Sequence, residues 1–235
     1  YHFKVLFYIL KKLKFEWAEQ LFHLSYGMVN LPEGKMKSRE GTVVDADDLI
    51  DSLKNSVLEE ISAKGRNEAV GNPEDVAEKI ALGALHYFLL QATPAKDMMF
   101  NPKESLSFNG NTGPYLQYMG ARICSILRKA EESNANIDVN VDFSLLAHPT
   151  EWALVKALGE YPEKVKKAAL NLDPSEIASI LYEIAKLFGS FYHDCPILGI
   201  DNQALTAARL RLVRCVKTVL ENGMNLILVP FLETM

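Results

Sequence analysis

The chain has 235 residues, of which 49% are hydrophobic and 23% charged, the proportions of an ordinary globular protein that can bury a core. The formal net charge of −5 argues against a protein that coats nucleic acid non-specifically, because that class carries a strong basic excess. It still allows a local surface that recognises one folded RNA. Cys124, Cys195 and Cys215 lie far apart without Cys-x-x-Cys spacing, which predicts neither a metal site nor a disulfide framework and fits a reducing cytoplasm.

The first part of the chain mixes helix, strand and loop. Apolar residues recur at helical spacing from Phe3 to Leu13, which predicts a helix, and the short β-prone run 24–29 predicts a strand. Residues 30–42 carry glycine, proline and charge and predict a loop, followed by a short extended piece at 42–44. No apolar run is long enough to cross a membrane.

Two helices and an irregular segment come next. Asp45 or Asp47 is predicted to cap a helix that buries its apolar face, and residues 64–71 are predicted to be polar and exposed. Asn72 and Pro73 form a cap and a first turn, which predicts a helix reaching about Gln91. Residues 96–107 are predicted to be extended or irregular, and 109–111 to form a turn.

From residue 112 onward every predicted element is a helix, interrupted by a polar connector at 133–149. The predicted start signals are Thr112 with Pro114, Thr150, Tyr161 with Pro162, Asp173 with Pro174 and Glu176, and Ala204. The corresponding helices are predicted to end near Glu132 for the first, near Asp194 for the fourth and at Gly223 for the last. The change in composition places a domain boundary near residue 110.

The segment 34–41 is the first candidate for chemistry. Lys35, Lys37 and Arg39 lie between two glycines, after a predicted strand and before a predicted helix. Mobile backbone with cations is what a loop needs to close on nucleotide phosphates. The loop lacks the Gly-Lys-Ser/Thr of a Walker loop, and a short basic turn exposed to solvent is the alternative interpretation.

Residues Lys35-Met36-Lys37-Ser38-Arg39 resemble the KMSKS motif of class I aminoacyl-tRNA synthetases, and the flanking 23–29 and 40–44 resemble arginyl-tRNA synthetases. The resemblance implies that Gly27, Met28 and Val29 line the adenine site of ATP. It also implies that Lys35 and Lys37 act catalytically on the phosphates, while Met36 and Ser38 complete the ATP-binding loop. The sequence departs from the motif because Ser38 occupies the second lysine position and Lys37 lies one place earlier.

Residues 107–122 resemble the entrance to the anticodon-binding domain of the same family. Tyr115, Tyr118 and Arg122 fall on one helix face, so two rings could stack on unpaired bases while a guanidinium contacts a phosphate. The alternative is that both tyrosines are half-buried core residues with wet hydroxyls.

The C-terminal part resembles the family's DALR element at 208–213, although its first position holds Ala207 instead of aspartate. The resemblance implies that Tyr192, in the segment 190–193, and the terminal Met235 help to form the anticodon pocket. The default interpretation of Arg211 and Arg214 is that they belong to a basic helix face exposed to solvent.

The sequence and the resemblance together predict a mainly α protein with two parts. Residues 1–110 are predicted to be the C-terminal remnant of a class I Rossmann-type catalytic domain, with a short strand, a loop and helices. Residues 111–235 are predicted to form a DALR-type helical bundle that binds the anticodon. By resemblance, the whole enzyme is an arginine–tRNA ligase of the cytoplasm that uses ATP with Mg²⁺ and acts on arginine and its tRNA, tRNA(Arg).

We find neither the HIGH motif nor the arginine pocket, and both are expected before Tyr1. The fragment is thus predicted to bind the anticodon arm, to aminoacylate nothing by itself, and to hold no tight cofactor or metal. Neither DNA nor a membrane is an expected partner. A stand-alone non-catalytic tRNA-binding protein and a helical interaction scaffold without an RNA ligand are the alternatives.

Overall fold

The computed structural model describes residues 1–30, 45–63, 71–133 and 141–235. Within these ranges, helices dominate and a parallel pair of two-residue strands is present. The α-helices are α1 (His2–Lys12), α2 (Ala46–Ala63), α3 (Pro73–Leu90), α4 (Pro102–Ser105), α5 (Gly113–Glu132), α6 (Pro149–Asn171), α7 (Ser175–Asp194) and α8 (Gln203–Leu226). The strands are β1 (Val29–Asn30) and β2 (Met98–Met99), and 3₁₀ turns cover Glu16–Gln20 and Phe143–Leu145.

Local capping chemistry sets the starts of several helices, as the sequence predicts. The Asn72 side chain accepts a hydrogen bond from the Glu74 amide (3.2 Å) at the start of α3. The Thr112 hydroxyl accepts from the Tyr115 amide (3.2 Å) at the start of α5. An exposed end of a helix leaves amides unpaired, and these side chains satisfy one each. The Asp173 carboxylate does the same before α7.

The start of α6 and its passage through a proline correct two predictions. The cap is His148, not Thr150: the His148 ring nitrogen accepts from the Thr150 amide (3.3 Å), and Glu151 accepts from the His148 amide (2.8 Å). Pro162 neither breaks this helix nor starts another. A proline removes one helical hydrogen bond, but α6 packs along α7, and this tertiary contact outweighs the local loss.

The first strand is also shorter than predicted. Instead of spanning 24–29, it covers Val29–Asn30 and pairs in parallel with Met98–Met99, inside a segment predicted to be extended or irregular that also contains α4. The Met98 amide donates to the Met28 carbonyl at 2.8 Å, and the Phe100 amide donates to the Asn30 carbonyl at 2.7 Å. Of the predicted loop at 30–42 and the predicted exposed run at 64–71, only Asn30 and Gly71 are described, and the piece at 42–44 lies outside the described residues.

Helix α8 continues through Gly223 to Leu226, which corrects its predicted end. Gly223 is buried, and a Cβ atom there would lie 2.4 Å from Cδ2 of Leu181 on α7, a side chain with no exposed surface. The glycine thus allows α7 and α8 to approach closely and does not end the helix.

Gly223→Ala is expected to destabilise the chain by about 1–3 kcal/mol because the added methyl overpacks this contact. Helix propensity alone predicts the opposite sign, a gain of about 1 kcal/mol. Gly159→Ala on α6 is the matched control, since nothing lies within 4 Å of its added Cβ, and there propensity should give a small gain. Urea unfolding of both variants measures this, and a stabilising Gly223→Ala would contradict the packing argument.

The core lies mainly among α5, α6, α7 and α8, and Tyr87 of α3 packs into it. A smaller cluster joins α2 and α3 to the last residues of the chain, through Leu232 and Met235. We call residues 227–235 the closing segment. Helix α1 buries no side chain against the described part of the chain, and no described helix is long and apolar enough to cross a membrane.

Candidate nucleic-acid interface

A cavity of about 690 Å³ lies between α2, α3, α5, α7 and the closing segment. Of the five residues predicted to bind the anticodon, Tyr118, Arg122, Tyr192 and Met235 line this cavity. Three separate elements supply them: α5 carries Tyr118 and Arg122, α7 carries Tyr192, and the closing segment carries Met235. The structure therefore brings together side chains that are up to 117 positions apart in sequence, from 118 to 235.

Arg122 joins the two tyrosine rings of the cavity. Its guanidinium carbon lies 4.4 Å from the ring centroid of Tyr192 and 5.8 Å from that of Tyr118, within the range of cation–π attraction. Tyr118 is 40% exposed and Tyr192 38% exposed, so both rings remain open to a ligand. The Phe188 ring stacks on Tyr192 with centroids 6.3 Å apart, which supports it from the core.

Tyr115 differs from the other four predicted residues, because its half-buried ring is not part of the cavity wall. The ring packs edge-on against Tyr182 of α7, with centroids 5.7 Å apart. Burial is the main cause that raises the pKa of Tyr115 above its ordinary value, and the nearby Tyr182 raises it further. Its geometry is that of the half-buried core tyrosine considered above as the alternative.

Met235 closes one side of the cavity. Its side chain packs against the small cluster formed by Val57, Ile61, Val76, Ala77, Ile80 and Leu232. Just before it, the Glu233 carbonyl accepts a hydrogen bond from the Arg128 guanidinium (3.2 Å), and the Glu233 carboxylate pairs with Lys217 (3.2 Å). The last residues are therefore fixed to α2, α3, α5 and α8.

Sequence reasoning missed several cavity residues. Ser125 and Arg128 follow Tyr118 and Arg122 along the same face of α5 and also line the cavity. Continuing the helical spacing from Tyr118 would have found both. Helix α2 contributes Val57, Glu60 and Ile61, and no local signal in the sequence connects that helix to this surface.

The residues predicted to bind ATP fall only partly in the described ranges. Lys35, Met36, Lys37 and Ser38 lie outside them. A Cβ atom on Gly27 would lie 2.1 Å from the Lys96 carbonyl oxygen, so only glycine permits this close approach of the two backbone segments. Met28 donates its amide to the Asp97 carboxylate (2.7 Å), and Val29 packs partly buried beside Phe100.

The DALR-like element has a structural contact at its centre. The Arg209 guanidinium donates to the fully buried Glu151 carboxylate (2.7 Å) and to the Pro196 carbonyl (2.6 Å), and so joins α8 to the start of α6. Within residues 1–30, 45–63, 71–133 and 141–235, no group of three His, Cys, Asp or Glu side chains could hold a metal ion.

Comparison with known families accounts for both parts of the chain. Residues 116–235 match the family model described as the DALR anticodon binding domain. Residues 1–102 match the model described as the catalytic domain of class I tRNA synthetases (R). The chain belongs to the arginyl-tRNA synthetase family. The predicted domain boundary near residue 110 falls between the two matched ranges and stays a prediction.

Curated relatives of this chain carry the name arginine–tRNA ligase. The protein from Treponema denticola is 60% identical, and that from Treponema pallidum is 57% identical; each match covers 100% of this chain and 40% of the relative. The chain thus spans about 40% of the length of the curated relatives it matches.

Solved structures show the same fold. The arginyl-tRNA synthetase of Thermus thermophilus superposes with a TM-score of 0.82 at 32% identity, covering 93% of this chain and 36% of that one. The Plasmodium falciparum enzyme gives a TM-score of 0.76 at 22% identity, covering 100% of this chain and 39% of that one, which is a likeness of fold. The predicted mainly α architecture and the predicted family are both confirmed.

Proposed function

We propose that this chain binds the anticodon arm of tRNA(Arg) and that the whole protein ligates arginine to that tRNA with ATP. The observation that carries the first half is the convergence of Tyr118, Arg122, Tyr192 and Met235 on one cavity. The second half rests on the name of the curated relatives. The cytoplasm is the compartment that this function implies.

The cavity fits unstacked bases better than a duplex. Proteins that read RNA by sequence take unpaired loop bases and stack them on aromatic rings or on guanidinium planes. Tyr118 and Tyr192 offer two partly exposed rings, and Met235 offers an apolar wall. In the free chain Arg122 lies over the Tyr192 ring, so an incoming base would replace it there and leave the guanidinium for a phosphate or a stacking contact.

Local charge also favours RNA, although the chain is acidic overall. The charged side chains of the cavity lining are those of Arg122, Arg128 and Glu60, and Met235 adds its α-carboxylate at the same wall. Two guanidiniums in one cavity can pair with phosphates there, although the chain as a whole is acidic. This is the charge distribution expected of a protein that recognises one folded RNA.

The ATP-handling half of the proposal uses the front of the chain. Gly27, Met28 and Val29 would face the adenine, and the loop with Lys35 and Lys37 would offset the phosphate charge during adenylate formation. Mg²⁺ is commonly held by few protein ligands together with substrate phosphates, so it would enter with ATP. The arginine pocket and the HIGH motif would come from the rest of the whole protein.

Tyr118→Ala or Tyr192→Ala is expected to weaken binding of an arginine anticodon-arm hairpin by about 1–3 kcal/mol, the worth of one base–aromatic stack. Filter binding at fixed salt concentration measures this, and circular dichroism checks that the helices remain. Trp152→Ala is the matched control, because Trp152 is 60% exposed on α6 and does not line the cavity. Unchanged affinity in both tyrosine variants, or an equal loss in the tryptophan variant, would refute the assignment.

A further inference from the structure

Gln117 is a fully buried polar residue in the middle of α5. Its side-chain nitrogen donates to two carbonyl oxygens, that of Lys79 on α3 at 2.8 Å and that of Pro230 in the closing segment at 2.9 Å. Because both partners are acceptors, the orientation of the amide is fixed by chemistry. One side chain thus connects three separate parts of the chain.

The fold makes room for this amide at a cost in stability. The Gln117 side-chain oxygen is buried and has no hydrogen-bond partner within the described part of the chain. A buried acceptor left unpaired is destabilising, and such groups call for an explanation. Gly83 of α3 provides the space, since a Cβ atom there would lie 2.6 Å from the Gln117 nitrogen.

Gln117 is the central one of three side chains that hold carbonyls of the closing segment. His86 contacts the Leu228 carbonyl (2.6 Å), and Arg128 donates to the Glu233 carbonyl (3.2 Å). Of the three, only Gln117 is fully buried, so it is shielded from competition with water. Beyond Pro230 the segment continues through the buried Leu232 to Met235 at the cavity wall.

We propose that Gln117 is a positioning residue for RNA binding: its amide fixes Pro230 and thereby sets where Met235 and the adjacent cavity wall lie. The inference rests on the proposed function, because it assumes that the cavity holds RNA. Gln117 itself does not line the cavity, so it acts through the closing segment and not by touching the ligand.

Stability and RNA affinity should both fall in Gln117→Met. The substitution keeps the volume and removes the unpaired oxygen, but it also leaves the Lys79 and Pro230 carbonyls without this donor, so the unfolding midpoint in urea should fall. The freed closing segment should lower affinity for the anticodon-arm hairpin about tenfold, within the range of couplings between residues that act together. A merely structural role would lower stability and leave the RNA affinity of the folded chain unchanged.

A double-mutant cycle tests whether Gln117 affects RNA binding through the closing segment. Gln117→Met is introduced into the 235-residue chain and into a chain shortened to end at Leu232, and hairpin affinity is measured for all four proteins. If Gln117 acts through the closing segment, the substitution lowers affinity in the first background and has no further effect in the second. Equal losses in both backgrounds, or no loss in the full chain, would overturn the proposal.

Two further variants keep the result interpretable. Ser105→Ala removes another buried side-chain-to-carbonyl hydrogen bond (2.8 Å, to Pro102) away from the cavity and should leave RNA affinity unchanged. If Gln117→Met does not fold, Gln117→Asn retains a core amide that is too short to reach Pro230 and should show the same loss. Failure of the unaltered chain to bind the hairpin would overturn the proposed function and this inference together, whereas normal binding by the variants overturns this inference alone.

Discussion

Glu151→Ala is expected to lower the free energy of unfolding by about 3–5 kcal/mol, the usual cost of breaking a buried ion pair from one side. The Glu151 side chain has no exposed surface, and its Arg209 partner is only 11% exposed, with 2.7 Å between nitrogen and oxygen. Alanine would leave the arginine charge in the interior without its partner. It would also remove the acceptor for the His148 amide, which helps to start α6.

The double substitution Glu151→Met with Arg209→Met is the informative control. It removes both charges and leaves no unpaired ion in the interior, so its cost should be much smaller than that of Glu151→Ala. Urea unfolding followed by circular dichroism gives both values on the same chain. A double variant as unstable as Glu151→Ala would show that helix capping or packing, and not the unpaired charge, dominates.

Arg122→Ala is expected to weaken binding of the anticodon-arm hairpin by at least about 2 kcal/mol, the threshold for an interface hot spot. Its guanidinium is the group that lies near both tyrosine rings of the cavity, at 4.4 and 5.8 Å from their centroids. Removing it eliminates a phosphate or stacking partner and frees both rings to move. If Arg122 contacts a phosphate, the dependence of affinity on salt should also fall by about one unit of slope.

Arg122→Lys separates charge from shape. Lysine keeps the positive charge but loses the planar guanidinium, so the salt dependence should be retained while part of the affinity is lost. Fluorescence anisotropy at several salt concentrations measures both quantities. Full affinity in Arg122→Ala would remove this residue from the interface.

The sequence predicted those parts of the fold that local chemistry determines. Asn72 and Thr112 satisfy amides only two or three residues away, so their helix starts could be identified without knowing the rest of the structure. The helix ends predicted at Pro162 and Gly223 were wrong because the effect of each residue depends on packing between helices. The prediction of the strand at 24–29 was wrong for a related reason, because Val29 pairs with Met98, which is far away in sequence.

The candidate site was predictable to a similar extent. Tyr118 and Arg122 share a helix face by spacing alone. Tyr192 and Met235 could be assigned to the same place only through resemblance to a family, because nothing local links α7 or the closing segment to α5. Arg128 was within reach of the spacing argument, whereas Gln117 was not, since its role depends on the Pro230 carbonyl.

The most direct test of the account compares two hairpins on the unaltered chain. One is the arginine anticodon arm, and the other has the same backbone and stem but lacks the bases of the loop. Measured by fluorescence anisotropy at one salt concentration, the hairpin without loop bases should bind more weakly by about 1–3 kcal/mol for each lost stack. Equal affinity for the two hairpins would contradict the claim that Tyr118, Arg122, Tyr192 and Met235 form a cavity for unstacked bases.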